Sequence, residues 1–299
     1  MIFKTRFAPS PTGPLHLGHA YSALLAYDMA QAQNGTVLLR IEDIDQTRAR
    51  DHWESQIYDD LAWLGVSWTE PVLRQSDRMN FYAQALDILW ERGLLYVCDC
   101  TRRDIEAALS APQEGVQRHG PDGLIYPGTC RTRHPRTGPR PTDKALRLDM
   151  VAAMRHLAAP LSYEETGVNA GQIASGDLVT TVGDIVLARR DMGTSYHLSV
   201  VVDDAAQSIT DVVRGADLAE ATMIHVLLQK LLDVPTPAYH HHRLIRDEAG
   251  KRLAKRDDGR AISKYRAEGA TPDDIRAMVG LPPYSGAINS TSDPSTTSV

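Results

Sequence analysis

The chain has 299 residues, 42% hydrophobic and 23% charged, proportions near globular averages that exclude collagen-like, coiled-coil and extensively disordered classes. With 32 Lys and Arg against 38 Asp and Glu the net charge is −6, so any contact with nucleic acid has to come from a local basic patch rather than from the field of the whole protein. No run approaches the roughly 20 apolar residues of a membrane span, and Met1-Ile2-Phe3-Lys4 lacks a signal-peptide core. A cytoplasmic address with no membrane association is expected. Three cysteines, two of them in Cys98-Asp99-Cys100, suit a reducing compartment and raise the question of a metal.

Residues 3–8 read as a short strand, and Pro9–Gly13 as a loop, because two prolines and a glycine break any periodicity. The Ala- and Leu-rich stretch 19–32 predicts a helix that stops at Asn34-Gly35, and 36–41 predicts a buried strand. This strand-helix-strand order implies a parallel sheet. Helices are predicted over 51–64 and 78–92, with Gly65 and Gly93 where C-caps belong. From about 97 to 190 the chain becomes rich in Gly, Pro and Arg, with short strands such as 144–148, and reads as an inserted subdomain. Residues 200–203, a helix near 219–232 and a strand near 239–245 resume the α/β pattern. Residues 286–299 form a Ser/Thr-rich tail with nothing to bury, expected to be disordered. The fold class expected is α/β, with a Rossmann-like catalytic domain over 1–96 and 191–285 interrupted by a subdomain over 97–190.

Two segments carry the chemistry. In the first, a strand end feeds a Pro/Gly loop and then a helix start bearing His16 and His19. Free N–H groups and positive partial charge at a helix start suit phosphate, imidazoles add donors, and Gly18 lets a flat base or ribose approach the backbone. The second, Arg246 to Gly259, holds two of the chain's six lysines, Lys251 and Lys255, between glycines. Such a loop supplies a point charge able to follow a triphosphate through its reaction.

Together these segments resemble the signatures of class I aminoacyl-tRNA synthetases: His16-Leu17-Gly18-His19 is similar to the HIGH motif, and Arg252-Leu253-Ala254-Lys255-Arg256 to the KMSKS loop. Arg6–Gly13, Arg40–Asp45 and Val212–Asp217 resemble the glutamyl branch, and the resemblance runs from residue 3 to about 280. The loop departs from the pattern at Arg252, which keeps the charge, and at Ala254, which lacks a hydroxyl. Because 44 residues follow Lys255, a helical anticodon-reading domain is not expected. The chain resembles instead a shortened paralogue within this branch, which activates glutamate without tRNA and attaches it to the queuosine base in the anticodon of tRNA(Asp). A truncated enzyme charging tRNA(Glu), or an inactive RNA-binding paralogue, are the alternatives.

The resemblance implies a ligase that joins the α-carboxylate of L-glutamate to the α-phosphate of ATP, releases pyrophosphate, and passes the mixed anhydride to RNA. His16, Gly18, His19 and Lys255 are implied for ATP, with His16, His19 and Lys255 stabilising phosphate charge and Mg2+ accompanying the nucleotide. Arg6, Ala8, Ser10, Glu42, Tyr196 and Arg214 are implied for glutamate, Glu42 taking the ammonium. A guanidinium at Arg214 is the natural reader of the side-chain carboxylate, since an amide would present donors to a donor. A monomer is expected.

A structural zinc ion wants four ligands, and Cys98, Cys100 and Cys130 provide three. From chemistry alone His134 is the natural fourth. The paralogue's pattern, Cys-x-Cys followed by Tyr-x-x-x-Cys, implies Tyr126 in its place, and Tyr126 is preferred with His134 as rival. Arg102, Arg103, Arg118, Arg131, Arg133, Arg136 and Arg140 predict a basic surface on the insertion suited to phosphate. His240-His241-His242 reads as strand surface, because neighbours on a strand point to opposite faces.

Overall fold

The computed structural model describes residues 2–109, 118–245 and 260–284. Its opening unit is the strand-helix-strand read from the sequence: β1 (Lys4–Phe7), α1 (Leu17–Ala32) and β2 (Thr36–Ile41). β1 and β2 pair in parallel, Lys4 opposite Thr36 and Phe7 opposite Leu39. α2 (Asp51–Trp63) leads to β3 (Thr69–Arg74), which pairs in parallel with β2. α3 (Met79–Glu91) follows. Both helices end where glycine permits a left-handed turn, Gly65 at φ 79° and Gly93 at φ 70°.

Next come β4 (Leu95–Cys98), α4 (Arg102–Leu109), the hairpin β5 (His119–Gly120) and β6 (Gly123–Leu124), β7 (Ala145–Leu148), α5 (Met150–His156), β8 (Ser162–Glu165), β9 (Gly171–Ala174), α6 (Leu178–Thr181) and β10 (Val186–Ala188). β7 sits between β4 and β10 in an antiparallel sheet. The chain then runs through α7 (Tyr196–Ala206), β11 (Asp211–Gly215), α8 (Thr222–Leu231), β12 (Ala238–His242), α9 (Ile262–Ala267) and α10 (Pro272–Met278). β11 and β12 pair in parallel from Asp211 opposite Ala238 to Gly215 opposite His242. β8 pairs in parallel with β12, so a strand from the span read as an insertion extends this sheet. β11 lies beside β1, where the Thr210 N–H donates to the Lys4 carbonyl at 2.9 Å and the Lys4 N–H to the Thr210 hydroxyl at 2.8 Å.

Residues 200–203 lie in the middle of α7, whose start is capped by the Ser195 hydroxyl. Their apolar run, Val200-Val-Val202, carries no strand because Ser195 nucleates a turn upstream and the face packs inward against α3 and α8. Two buried clusters form the core. One joins α1, β1, β2 and α2 to Ile262 and Ile275 of the last helices. The other joins α3, α5, α7 and α8 to β4, β7, β10 and β12. The last helices are thus carried back onto the first unit. The tail 286–299 lies outside the described residues.

Candidate active site

At the start of α1, His16 occupies the N-cap position that short polar side chains usually fill. Its Nδ1 accepts the Gly18 N–H at 3.1 Å, and His19 Nδ1 reaches back to accept the His16 N–H at 3.2 Å. The two rings stack with centroids 3.8 Å apart. A Cβ at Gly18 would lie 3.0 Å from His16 Cε1, so glycine here keeps the capping ring in place as well as opening the backbone to a ligand. The two histidines are therefore one preorganised unit at a helix start, where positive partial charge favours phosphate.

This unit forms one wall of a cleft of about 460 Å3. All the residues implied for glutamate, Arg6 and Ala8 and Ser10 from β1 and its loop, Glu42 after β2, Tyr196 at the head of α7 and Arg214 on β11, line the same cleft as His16, Gly18 and His19. The C-terminal ends of β1, β2 and β11 all reach this cleft, which explains the convergence.

Behind the cleft lies a set of buried charges that the sequence reading did not anticipate. Asp204 Oδ1 accepts from Arg6 Nε at 2.9 Å and from Arg40 Nη1 at 2.7 Å. Arg40, with no exposed surface, also donates to Gln207 at 3.1 Å and to Glu42 at 3.3 Å. Burial raises the Asp204 carboxyl, but Arg6 and Arg40 more than offset it and hold the group below its usual range. Glu42 moves the other way: burial dominates over Arg40 and Arg6 and lifts it above the usual range. A cation arriving beside Glu42 would lower it again by favouring the ionised form. The sequence signals for Arg40 were its place at the head of the Arg40–Asp45 stretch and its spacing, two residues before Glu42.

Arg214, 6% exposed, is held by a different kind of partner. Its Nε donates to His241 Nε2 at 3.1 Å, Nη1 to His225 Nδ1 at 3.0 Å, and Nη2 to Thr222 Oγ1 at 2.7 Å and the Leu218 carbonyl at 3.3 Å. The His240–His242 run is therefore not strand surface. His241 and His242 are 1% and 6% exposed on a strand that lies between β11 and β8, while His240 is half-buried. His242 lines the cleft and pairs with Ser22 Oγ at 2.6 Å.

Lys255 and the rest of Arg252–Arg256 lie outside the described residues. The whole span 246–259 does, and the described residues that bound it are Ile245 and Arg260. Ile245 lines the cleft, while Ala261 forms an antiparallel bridge with His16 and the Ile262 N–H donates to the Leu15 carbonyl at 2.9 Å. Of the described residues that follow the span, Ala261 is thus tied to the histidine pair.

A second cluster lies at the end of β4. The sulfur atoms of Cys98, Cys100 and Cys130 all fall within 4.8 Å of one another, and among the described residues no other His, Cys, Asp or Glu joins them. The Tyr126 phenol, buried, stands 3.5 Å from Cys98 Sγ and 3.2 Å from Cys100 Sγ and accepts the Cys130 N–H at 2.9 Å. His134 turns instead to Asp99, 2.5 Å away. Three thiols and a phenol meeting at one point suit a closed tetrahedral zinc site. The burial that raises the Cys130 thiol is outweighed by hydrogen bonds from Tyr126, the Asp99 backbone and the other thiols, which bring it to about 7. Arg147, with Nε 3.3 Å from Cys98 Sγ and its guanidinium 3.9 Å above the Tyr126 ring, adds a compensating positive charge.

The arginines of this region do not form the single basic surface expected. Arg131 pairs with Asp184 at 2.8 Å, Arg136 with Asp149 at 2.9 Å and Arg140 with Asp87 at 2.6 Å. Asp149 and Asp184 are buried, so two of these cations are turned inward to neutralise them. Arg102, Arg103, Arg118 and Arg133 remain exposed.

A parallel sheet whose first strand feeds a histidine-capped helix, with a second strand pair delivering an arginine to the same cleft, defines the catalytic domain of a class I synthetase. The chain belongs to that family: the tRNA synthetases class I (E and Q), catalytic domain, match residues 3–287. It is 62% identical over 281 residues to the glutamyl-Q tRNA(Asp) synthetase of Rhodobacter capsulatus, covering 93% of this chain and 99% of that one. It is 41% identical over 295 residues to the protein of the same name from Albidiferax ferrireducens, covering 95% and 94%. Among solved structures, a glutamate tRNA ligase from Elizabethkingia meningosepticum in complex with its amino acid superposes with a TM-score of 0.73 at 26% identity, across 94% of this chain. The chain spans 61% of the length of that ligase.

Proposed function

We propose that this chain activates L-glutamate with ATP in the absence of tRNA and transfers it to the queuosine base in the anticodon of tRNA(Asp). The observation that carries the reading is the convergence of Arg6, Ser10, Glu42, Tyr196 and Arg214 with the His16–His19 unit in one cleft. The names of relatives that match nearly end to end support the same substrate.

In this reading the glutamate ammonium faces Glu42 and its side-chain carboxylate faces Arg214, so that the α-carboxylate points toward the helix start. That carboxylate attacks the α-phosphate of ATP and pyrophosphate leaves; a hydroxyl of the modified base's cyclopentene ring then attacks the carbonyl of the mixed anhydride, forming the ester, losing its proton and releasing AMP. No protein nucleophile is required: positioning and neutralisation of phosphate charge by His16, His19 and Lys255 supply the catalysis, with Mg2+ accompanying ATP. Cys98, Cys100, Tyr126 and Cys130 would hold one structural Zn2+, which ties the segment after β4 to the hairpin that precedes Cys130 and takes no part in the chemistry. Residues 97–190 act as the insertion and 1–96 with 191–285 as the catalytic domain of a cytoplasmic monomer.

The test is to measure glutamate-dependent ATP–pyrophosphate exchange without RNA, and then to incubate the protein with labelled glutamate, ATP and tRNA that carries or lacks queuosine. Exchange without RNA and label confined to queuosine-containing tRNA(Asp) is the expected result. Label on the 3′ end of tRNA(Glu) would identify a shortened charging enzyme, and absence of exchange a binding role.

A further inference from the structure

The two arginines of the cleft are held in opposite ways. Arg6 shares the Asp204 carboxylate with Arg40, so its charge is compensated inside the protein. None of the four groups hydrogen-bonded to Arg214 is a carboxylate: they are two imidazoles, a hydroxyl and a carbonyl.

Hydrogen-bond logic sets the state of both imidazoles. A guanidinium has no acceptor, so His225 Nδ1 must accept from Arg214 Nη1. The proton of His225 then sits on Nε2, which donates to His197 Nδ1 at 3.0 Å, and His197 Nε2 donates in turn to Asp122 Oδ1 at 3.1 Å. On the other side, His241 Nε2 accepts from Arg214 Nε, so His241 carries its proton on Nδ1 and gives it to Glu165 Oε2 at 2.5 Å. Each imidazole is a neutral spacer between the guanidinium and a carboxylate. The nearest anion along each relay is displaced by one ring on the Glu165 side and by two on the Asp122 side. Burial, with the Arg214 charge beside it, drives the His225 imidazole well below its usual range, which keeps this spacer neutral.

We infer that His225 and His241 are specificity-positioning residues, which orient the Arg214 guanidinium toward the cleft while leaving its charge uncompensated for the side-chain carboxylate of the substrate. An aspartate or glutamate in either place would hold the arginine as firmly. It would also cancel the charge and oppose an incoming carboxylate, removing the preference for glutamate over glutamine. The guanidinium has five N–H groups, and four are engaged as above, so one Nη1 hydrogen is left to point at the ligand. The inference rests on the reading of Arg214 as the carboxylate reader.

The experiment compares isosteric substitutions by glutamate-dependent ATP–pyrophosphate exchange, with KM measured separately for glutamate and ATP. His225→Asn keeps a neutral acceptor near the Nδ1 position, and His225→Asp puts a charged one in the same place. The expected result is a glutamate KM at least about ten-fold higher for His225→Asp than for His225→Asn, because a buried like charge faces the substrate carboxylate. The KM for ATP should stay within about two-fold of the parent in both, since the lost interaction is with one substrate. Equal glutamate KM values in the two variants overturn the inference, because a purely structural role is blind to that charge. Arg214→Gln is the control: an unchanged glutamate KM there removes Arg214 from carboxylate recognition, a separate failure from that of His225. Should His225→Asp not fold, His241→Gln against His241→Leu makes the comparison, Gln keeping an acceptor near the Nε2 position. A rise of about ten-fold confined to Leu supports the role, and equal effects reject it.

Discussion

Asp204 is the residue whose loss should be felt most. It sits between Arg6 and Arg40 at 2.9 and 2.7 Å, is 6% exposed, and forms with Glu42 a buried set of two cations and two anions. Asp204→Asn keeps the shape and one acceptor but leaves that set with a net charge of +1. Removing one partner of a buried pair costs about 3–5 kcal/mol, and the lower end applies because the Asn oxygen can still accept from one arginine. On a domain stability of about 5–15 kcal/mol this is a large fraction. Urea unfolding at pH 7, with the slope compared between parent and variant, measures it. Adding Arg40→Met to Asp204→Asn removes the surplus cation and should recover part of the loss, since apolar replacement of buried ions is often neutral or stabilising. The pH dependence has a definite sign. The folded-state carboxyl of Asp204 is held below its usual value, so its contribution is fully present above the unfolded value of about 3.9 and fades as the pH falls through the folded value. Parent and variant should therefore converge only below about pH 4. A loss under about 1 kcal/mol, or no recovery from Arg40→Met, would show that the cluster is solvated and the charge argument wrong.

Asp60 predicts the opposite sign. It is 2% exposed, its Oδ2 has no hydrogen-bond partner among the described residues, and burial pushes its carboxyl up to about 6 despite Arg266. Its ionised form therefore costs stability above pH 6, a cost relieved as the pH falls toward the unfolded value. Asp60→Asn should stabilise the protein at pH 8 by about 1–3 kcal/mol in thermal or urea unfolding, and by nothing at pH 4; equal stability at pH 8 would mean that water reaches the group. At the cysteine cluster, Tyr126→Phe should weaken zinc retention against a chelator by at least about ten-fold while His134→Ala leaves it unchanged. The reverse order would return His134 to the ligand set.

The first unit was legible from local rules. β2 begins and ends where its apolar run does, Gly65 and Gly93 stop their helices, and His16 to His19 announce a helix start. These features depend on neighbours in sequence, which is why chain order is enough to read them. β11 and α7 were harder. Val200-Val-Val202 has strand chemistry yet lies in a helix capped by Ser195, since packing against α3 and α8 outweighs intrinsic propensity. β8 was obscured because its parallel partner, β12, begins only at Ala238.

At the site, residue types and their resemblance to one family named the side chains from β1, β2, α1, α7 and β11 that line the cleft, and that much was in the amino-acid order. The electrical arrangement was not. Whether a cleft arginine stands compensated, as Arg6 does by Asp204, or uncompensated between two imidazoles, as Arg214 does, depends on contacts between residues 198 positions apart in one case and 27 in the other. The same holds for Arg131, Arg136 and Arg140, whose clustering in the chain suggested a basic surface, whereas in the fold each pairs with a carboxylate, Asp184, Asp149 and Asp87. Charge is written in the sequence, but field and dielectric arise only from distance and burial, and those exist only once the chain has folded.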